Sequence, residues 1–390
     1  IKGAGGSSHL ELLRDIGGNA FRTWGADQLA ATRVRDDGVE RSLIDEADRL
    51  GLGVAAGFWM EHPRKGFDYA DPAQVRSQLN ELAEFVRTYK DHPAILVWGI
   101  GNEVEIGADP AVTLRAMNDA AKLVKSIDPT HAVMTVVAEI GDDKAELFMK
   151  LCPDIDILGI NSYGGMASLA QRLATQGYDG PYLVTEYGLP GHWETGGTAW
   201  GAPWEPSSAD KATFLRRNYE ATIDGDPRCL GGFAFLWGWK QERTSTWYGM
   251  WLKSGEALAS VDTLAELWTG KPRENRAPPV STPRFDIPFD SAAPDQPFKA
   301  RVDLNDPDGD PLEVTWVIRE ETTDHRMGGD AEAAARELEH LTATTEHGAA
   351  SLRTPTTPGN YRLFVFVRDG QGNAATSNLP FRVVDGEKDG

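Results

Sequence analysis

The chain has 390 residues, 41% of them hydrophobic, and its 59 acidic and 39 basic side chains give a net charge of −20. This length predicts two or three domains with substantial cores, which excludes a disordered chain or a small disulfide-stabilised module. The negative charge would repel phosphate backbones and anionic lipid surfaces, which argues against nucleic-acid binding, and no run approaches the roughly 18 apolar residues of a membrane span.

The first 270 residues alternate short apolar runs with longer helix-like stretches. The chain begins within an apparent strand at Ile1, and seven further runs follow at 18–23, 53–59, 94–100, 132–138, 155–161, 181–185 and 231–237. Eight such repeats predict an α/β fold, a (β/α)8 TIM barrel. A doubly wound open sheet is the alternative, but the sequence lacks the glycine-rich phosphate-binding turn that normally follows its first strand.

The composition changes near residue 271. Residues 271–282 are rich in proline and charge and predict an extended linker. Residues 283–390 alternate in the manner of strands and predict a small all-β immunoglobulin-like sandwich after the barrel of residues 1–270. Its predicted strands are Phe298–Leu304, Leu312–Arg319, Ala350–Arg353 and Tyr361–Arg368, and a helix is predicted over Asp330–Leu341.

In such a barrel the active site forms at the C-terminal ends of the strands. Asn102 and Glu103 follow the fourth apolar run, and Glu186 follows the seventh. Paired carboxyl groups suit cleavage of a glycosidic bond, because a neutral one protonates the leaving oxygen while an ionised one attacks the anomeric carbon. Arg22, at the end of the second run, and Tyr163, after the sixth, are placed to hold one of the two carboxyl groups ionised.

Three short motifs resemble segments of clan A retaining glycoside hydrolases. Trp98-Gly-Ile-Gly-Asn-Glu-Val is similar to the fourth-strand motif that supplies their acid/base, and Val184-Thr-Glu-Tyr-Gly to the seventh-strand motif that carries their nucleophile. Asn19-Ala-Phe-Arg-Thr resembles the second-strand arginine segment of family 2 barrels, β-glucanases and β-1,3-glucanosyltransferases. The resemblance covers the barrel and implies a retaining double-displacement mechanism.

Position by position, the resemblance implies Glu103 as acid/base and Glu186 as nucleophile. Asn102 would bind the sugar 2-hydroxyl, while Arg22 and Tyr163 would hold Glu186. Aromatic residues are also expected to contact the substrate, with the last of them as the floor of the −1 subsite: Trp24, Trp59, Trp193 and Trp237.

Weaker candidates surround these positions. Glu105, two residues after Glu103, is an alternative acid. Other polar residues after strands are candidates for contacts with sugar hydroxyls, with a purely structural role as the alternative: Glu61, His62 and Glu139. The glycine- and tryptophan-rich loop that starts at Gly191 is predicted to wall the positive subsites, because flat indole rings suit the apolar faces of sugars.

No metal or cofactor is predicted for catalysis, because no His/Cys/Asp grouping has a ligand-like spacing. The stretch that contains Asp306, Asp308 and Asp310 offers oxygen ligands of the type that calcium prefers. An ordinary turn is the favoured interpretation of this stretch, and a structural calcium ion is the alternative.

The sequence therefore predicts a retaining β-glycosidase that cleaves a neutral polysaccharide or oligosaccharide, with an endo-acting β-glucanase as the specific hypothesis. A transglycosylase that uses the same glutamate pair is one alternative. A non-catalytic carbohydrate-binding barrel is another, which the presence of both carboxylates disfavours. The oligomeric state stays open. The chain begins without methionine, which suggests a processed product, and a secreted or periplasmic location is expected from the function.

Overall fold

The structure is a computed structural model that describes residues 1–34, 38–141, 143–327, 329–345 and 347–385. The chain forms two compact units. The first contains residues 1–187 and 217–237, and the second contains residues 188–216 and the described residues from 238 onward. The boundaries of these units differ from those of the predicted barrel, linker and sandwich, because residues 188–216 and 238–270 belong to the second unit. The predicted domain boundaries stay a prediction.

Eight parallel strands of the first unit close into a barrel with the order β1-β10-β9-β8-β7-β6-β5-β2. The barrel strands are β1 (Lys2–Gly5), β2 (Ala20–Arg22), β5 (Gly53–Phe58), β6 (Ile95–Ile100), β7 (Ala132–Ala138), β8 (Ile157–Asn161), β9 (Tyr182–Tyr187) and β10 (Cys229–Ala234). Two further strands, β3 (Thr32–Val34) and β4 (Glu40–Ser42), form a separate antiparallel pair. Every predicted barrel strand overlaps an observed one, which confirms the TIM barrel. The β3–β4 pair was not predicted.

The helices of the described chain are α1 (Leu10–Asp15), α2 (Asp27–Ala30), α3 (Leu43–Leu50), α4 (Pro72–Tyr89), α5 (Pro110–Ile127), α6 (Lys144–Leu151), α7 (Leu169–Thr175), α8 (Ser208–Thr222) and α9 (Ala259–Thr269), with short 3-10 turns at Pro63–Lys65, Met166–Ser168 and Glu339–Leu341. The two longest, α4 and α5, start alike: a proline occupies the first turn, and Asp71 or Asp109 before it accepts a hydrogen bond from the backbone two residues on. Within the described residues, no helix has the length and apolarity needed to cross a membrane.

The barrel interior is a packed core. Side chains from seven strands form one buried cluster: Ala20, Ala55, Val97, Met134, Val136, Ile157, Leu183 and Phe233. Because these residues fill the centre of the barrel, polar side chains can meet only at the strand ends.

The second unit contains two antiparallel sheets that form the predicted sandwich. The first joins β11 (Arg284–Phe285), β12 (Pro297–Arg301) and β15 (Ala349–Arg353), and the second joins β14 (Ala343–Thr345), β13 (Glu313–Glu320), β16 (Gly359–Arg368) and β17 (Ala374–Val383). Phe298 of the first sheet and Trp316 and Phe381 of the second belong to one buried core. The two sheets therefore pack face to face, and the fold class is confirmed.

One prediction for the sandwich was wrong, and one long strand was not predicted. Residues Asp330–Leu341 do not form the predicted helix, apart from the short 3-10 turn at their end. Instead they run beside β13, because the Leu338 N–H donates to the Ile318 carbonyl at 2.9 Å and Leu338 enters the core. Strand β17 was not predicted because its centre is polar. Asn378 in this centre is nevertheless buried, and its side-chain amide is satisfied by hydrogen bonds with Arg362 and Glu205.

Candidate active site

A strained turn at the end of β6 positions the first glutamate. Gly101 has φ +72°, and Glu103 itself has φ +54°, a left-handed conformation that non-glycine residues rarely adopt outside functional sites. The Glu103 N–H donates to the Val136 carbonyl of β7 at 2.8 Å. A Cβ atom at position 101 would lie 2.8 Å from Val104 Cγ2 and 2.9 Å from Met117 Sδ. Only glycine fits there without displacing the turn.

A bulge in β9 positions the second glutamate. The pairing of β8 with β9 shifts by one residue at its end, so that Asn161 pairs with Glu186 and Thr185 is left between the paired positions. Thr185 is fixed there because its hydroxyl donates to Asn161 Oδ1 at 2.8 Å and its carbonyl accepts from Arg22 Nη1 at 2.9 Å. Bulges of this kind redirect a side chain next to an active site.

Three donors surround the buried Glu186 carboxylate. Arg22 Nη1 and Trp24 Nε1 donate to Oε1 at 3.1 and 3.0 Å, and the Tyr163 hydroxyl donates to Oε2 at 2.6 Å. Both oxygens are therefore held in place, and the charged pair with Arg22 is almost excluded from solvent. The predicted role of Trp24 was substrate contact, whereas the structure also gives it a direct hydrogen bond to Glu186.

Arg22 and two asparagines connect the glutamates. Arg22 Nη2 donates to Asn102 Oδ1 at 2.7 Å, and Asn161 Nδ2 lies 3.1 Å from the same oxygen and 2.9 Å from Glu103 Oε1. Burial lowers the pKa of Arg22, and the charges of Glu186 and Glu103 oppose that shift. The bridging position of Asn161 was not predicted, because it depends on the register of β8 against β9.

The surroundings of Glu103 favour its protonated form. Removal from solvent is the largest effect and the charge of Glu186 is the second, and together they raise the pKa of Glu103 to about 7, while the hydrogen bond from Asn161 opposes the shift. At neutral pH a large fraction of Glu103 therefore carries a proton that it can donate, whereas the adjacent Glu186 is surrounded by donors.

An aromatic residue that was not predicted completes this part of the site. Phe235, directly after β10, packs edge-to-face on Trp24 and Tyr163, with ring centroids 5.9 and 6.2 Å apart. It therefore contacts two of the three donors to Glu186. Its place in the last apolar run was the available signal. The peptide between Phe235 and Leu236 is cis, and the following Trp237 is 99% buried (1% exposed).

The other predicted aromatic residues lie elsewhere. Trp59 follows β5, stacks on the buried His62 with centroids 4.9 Å apart, and has Lys65 Nζ 5.6 Å from its ring centroid. Glu61 between them is exposed. Trp193 belongs to the second unit and is 62% exposed. The substrate-binding roles of Trp59, Trp193 and Trp237 stay predictions.

Glu105, the alternative acid, and Glu139, a candidate for sugar contact, both form ion pairs with nearby basic side chains. Glu105 is buried and accepts hydrogen bonds from Lys144 Nζ at 2.7 Å and from the Ala138 N–H at 2.8 Å, so its geometry favours a structural ion pair over proton transfer. Glu139 pairs with Arg172 at 2.8 Å, and Arg172 also binds the Gly165 carbonyl at 3.0 Å. This pair stabilises the loop that carries Tyr163.

Among the residues that the structure describes, no three His, Cys, Asp or Glu side chains are grouped so that they could hold a metal ion. In the stretch considered for calcium, Asp306 Oδ1 accepts hydrogen bonds from the N–H groups of Asp308 and Asp310, both at 2.9 Å. Asp308 also pairs with Arg276 at 2.9 Å. These contacts are those of the favoured turn.

The eight-stranded parallel barrel carries Glu103 just after its fourth strand and Glu186 at the end of its seventh, as the resemblance to clan A retaining glycoside hydrolases implies. The sequence profile described as "Glycosyl hydrolases family 2, TIM barrel domain" matches residues 7–200. Residues 7–200 are thus similar to the TIM-barrel domain of glycosyl hydrolase family 2, which confirms both the predicted resemblance and the predicted enzyme class.

Known proteins share this barrel. The β-glucuronidase of Homo sapiens is 28% identical over 197 residues, which cover 46% of this chain and 27% of that protein, and the Sus scrofa β-glucuronidase is 27% identical over 192 residues, which cover 46% and 26%. Bacteroides uniformis β-glucuronidase 2, covalently bound to cyclophellitol-6-carboxylate aziridine, aligns with 96% of this chain and 43% of its own length, at 18% identity and a TM-score of 0.50, a likeness of fold. The matches thus span less than half of each relative.

Replacing Gly101 by alanine should lower the free energy of unfolding by about 1–3 kcal/mol, because the new Cβ meets side chains and the backbone is left-handed. Gly51→Ala is the matched control, since Gly51 has φ +68° but nothing within 4 Å of its Cβ position. That variant should lose only about 1–2 kcal/mol. Urea titration compares the two, and a smaller loss for Gly101→Ala than for Gly51→Ala would contradict the packing argument.

Replacing Glu103 by glutamine should raise the melting temperature above neutral pH. The pKa of Glu103 is raised from 4.5 to about 7 on folding, so the wild type loses stability as the pH rises through this interval, and the loss is complete above about pH 7. The neutral variant escapes this loss. Melting curves between about pH 5 and 8 measure the difference, with Glu61→Gln at an exposed position as control. A pH-independent difference would contradict the shift.

Proposed function

We propose that this protein is a retaining β-glycosidase with Glu103 as acid/base and Glu186 as nucleophile. The observation that carries the proposal is the buried hydrogen-bond network that joins the two glutamates through Arg22, Asn102 and Asn161. This network holds the carboxyl groups together while it gives them different surroundings, as two glycosidase carboxyl groups with different tasks require.

In the first step, Glu186 attacks the anomeric carbon while Glu103 gives its proton to the leaving oxygen. This forms a glycosyl ester on Glu186 and breaks the glycosidic bond. Tyr163 and Trp24 orient the attacking carboxylate from opposite oxygens. Asn102 accepts two hydrogen bonds through its Oδ1, which leaves its amide nitrogen to donate to a sugar hydroxyl.

In the second step, the ionised Glu103 takes a proton from water, and the resulting hydroxide oxygen attacks the anomeric carbon and releases Glu186. The charge of Glu186 disappears when the ester forms. Since that charge helps to raise the pKa of Glu103, its loss lowers this pKa at the moment when Glu103 has to act as a base. One pair thus performs both steps.

We propose β-glucuronides as the substrate class, because the relatives matched by sequence are β-glucuronidases. The neutral β-glucan predicted from the sequence becomes the alternative. A uronate carboxylate needs a cationic partner, and Arg22 is already bound to Glu186 and Asn102. Lys65, beside Trp59 after β5, is the candidate for that partner.

The catalytic roles are tested with two variants and an activated aryl glycoside. Glu186→Gln should remove detectable hydrolysis, while Glu103→Gln should slow cleavage of poor leaving groups by about 10²–10⁴-fold and respond to added azide by forming a β-glycosyl azide. Full hydrolysis by Glu186→Gln, or an α-configured azide product, would exclude the assignment. Unchanged saccharide with measurable binding would support the non-catalytic alternative.

The pH profile gives an independent prediction. Since Glu103 must be protonated in the free enzyme, kcat/KM should fall on the alkaline side with a midpoint of about 7. In Glu103→Gln, assayed with an aryl glycoside whose leaving group needs no proton, this alkaline limb should disappear. If kcat/KM of the variant fell with the same midpoint, the alkaline limb would have to come from a group other than Glu103.

Substrate class is decided by kcat/KM on matched aryl β-glucuronide, β-galactoside and β-glucoside and by product mass on β-glucan oligosaccharides. We expect the glucuronide to be preferred, and Lys65→Met to raise its KM without changing that of the glucoside. Preference for β-glucan would restore the neutral alternative, and products longer than the input would indicate a transglycosylase. Secretion or periplasmic export also remains a proposal, which cell fractionation tests.

A further inference from the structure

A groove of about 520 Å³ lies in the second unit, within the roughly 300–1,000 Å³ typical of ligand pockets. One wall is the loop segment 200–203, which belongs to the tryptophan-rich loop after β9. The opposite wall comes from the sandwich, namely residues 320–323 with His325 and residues 357–361. The lining residues all belong to the second unit, whereas both glutamates belong to the first.

The groove is built on a rigid base. Arg362 of β16 is 99% buried (1% exposed) and its guanidinium donates to the Pro203 carbonyl at 3.0 Å, to Asn378 Oδ1 at 2.6 Å and to Glu321 at 2.9 Å. One side chain therefore connects the loop wall to two strands and to the opposite wall. A planar guanidinium held by three separate acceptors has little freedom to move.

A second buried group extends this base. Asn378 Nδ2 donates to Glu205 Oε2 at 2.7 Å, and Glu205 pairs with Lys211 at 2.6 Å, with both charged side chains almost fully enclosed. The hydroxyls of Thr244 and Thr246 satisfy the remaining lone pairs of Glu205 at 2.7 and 2.8 Å. The groove is thus preformed, so a ligand would not have to order its walls on binding.

The lining combines aromatic rings with fixed acceptors. Trp200 supplies a half-buried indole ring on the loop wall, whereas the ring of Tyr361 on the opposite wall is buried in the sandwich core. Trp200 also packs 6.3 Å from Phe289, which is 38% exposed, so the aromatic surface continues past the loop. The carboxylates of Glu320 and Glu321 are held by arginines outside the lining. Aromatic faces suit the C–H faces of sugars, and oriented carboxylates suit their hydroxyls.

The charge of the lining selects among saccharides. It contains two glutamates and one histidine, and neither lysine nor arginine is among the lining residues. Both carboxylates are already paired with arginines, Glu320 with Arg336 and Glu321 with Arg362. A uronate or a phosphorylated sugar would therefore find no lysine or arginine in the lining to bind, whereas neutral hydroxyls can donate to the carboxylates. Trp316, the single tryptophan of residues 283–390, is buried and is not a lining residue. The loop supplies the missing tryptophan.

We propose that this groove binds a neutral saccharide and serves as a non-catalytic carbohydrate site of the enzyme. The saccharide assignment rests on the proposed glycosidase function, since that function supplies the carbohydrate ligand. The charge preference of the groove is opposite to that of a site for a glucuronide, so the two sites can be distinguished by ligand.

The test uses the full chain with Glu186→Gln, in which saccharides bind without being cleaved. Neutral tetrasaccharides of β-linked glucose, mannose and galactose are titrated, with tetragalacturonate as the charged comparison. Indole ¹H–¹⁵N spectra locate binding, because the Trp200 resonance is the one that Trp200→Ala removes. We expect a neutral tetrasaccharide to shift this resonance, and Trp200→Ala to weaken its groove affinity about tenfold.

Two further variants secure the interpretation. Trp239→Ala, at a half-buried tryptophan of the same unit outside the lining, should leave the groove affinity unchanged. Glu320→Gln keeps the shape of the groove and should weaken neutral-saccharide binding severalfold. If Trp200→Ala fails to fold, this variant tests the groove proposal in its place.

The outcomes separate the two proposals. A Trp200 resonance that no neutral saccharide shifts, equal affinity in Glu320→Gln and its parent, or tighter binding of tetragalacturonate would overturn the groove proposal while the catalytic assay still holds. If aryl glycosides are not hydrolysed by the chain with Glu186 but neutral saccharides shift Trp200, the catalytic proposal fails and the groove proposal stands.

Discussion

The arrangement of the candidate active site depends on one buried cation. Arg22 is removed from solvent, and a charge in that position is tolerated only if its N–H groups are all directed at acceptors. Glu186, Asn102 and the Thr185 carbonyl provide them from β9 and from the turn after β6, while Arg22 itself ends β2. The Arg22 side chain therefore sets the spacing of three strand ends. The bulge in β9 contributes to this, because it presents the Thr185 carbonyl to Arg22 as an acceptor.

The two glutamates differ because their donors differ. Glu186 receives hydrogen bonds on both oxygens from a guanidinium, an indole and a phenol, whereas Glu103 receives one from Asn161 and sits on a strained turn near another carboxylate. This difference in hydrogen-bond supply is the asymmetry that the proposed roles of proton donor and nucleophile require. The fold imposes the asymmetry before any substrate binds.

Sequence patterns predicted the barrel and the residues at its strand ends, because a buried parallel strand reads as an apolar run and the next polar residue must lie at the barrel rim. They could not predict contacts that depend on register or on distant partners. Asn161 bridges the glutamates only because β9 bulges. Phe235 after β10 packs on Trp24 after β2, with β1 between these two strands, and Glu105 pairs with a lysine 39 residues further on. Strand β17 was missed for a related reason, since its buried centre is polar.

The ion pair of Glu205 with Lys211 has a consequence for the modularity of the chain. The loop that begins two residues after Glu186 contains Glu205, and its partners include Asn378 near the end of the sandwich. Cutting the chain near residue 270 would remove Asn378, which donates to Glu205, and Arg362, whose positive charge stabilises the ionised Glu205. The sandwich therefore helps to hold the loop that follows β9, through the contacts of Asn378 with Glu205 and of Arg362 with Pro203. Exchange of this sandwich between barrels would have to carry the loop sequence with it.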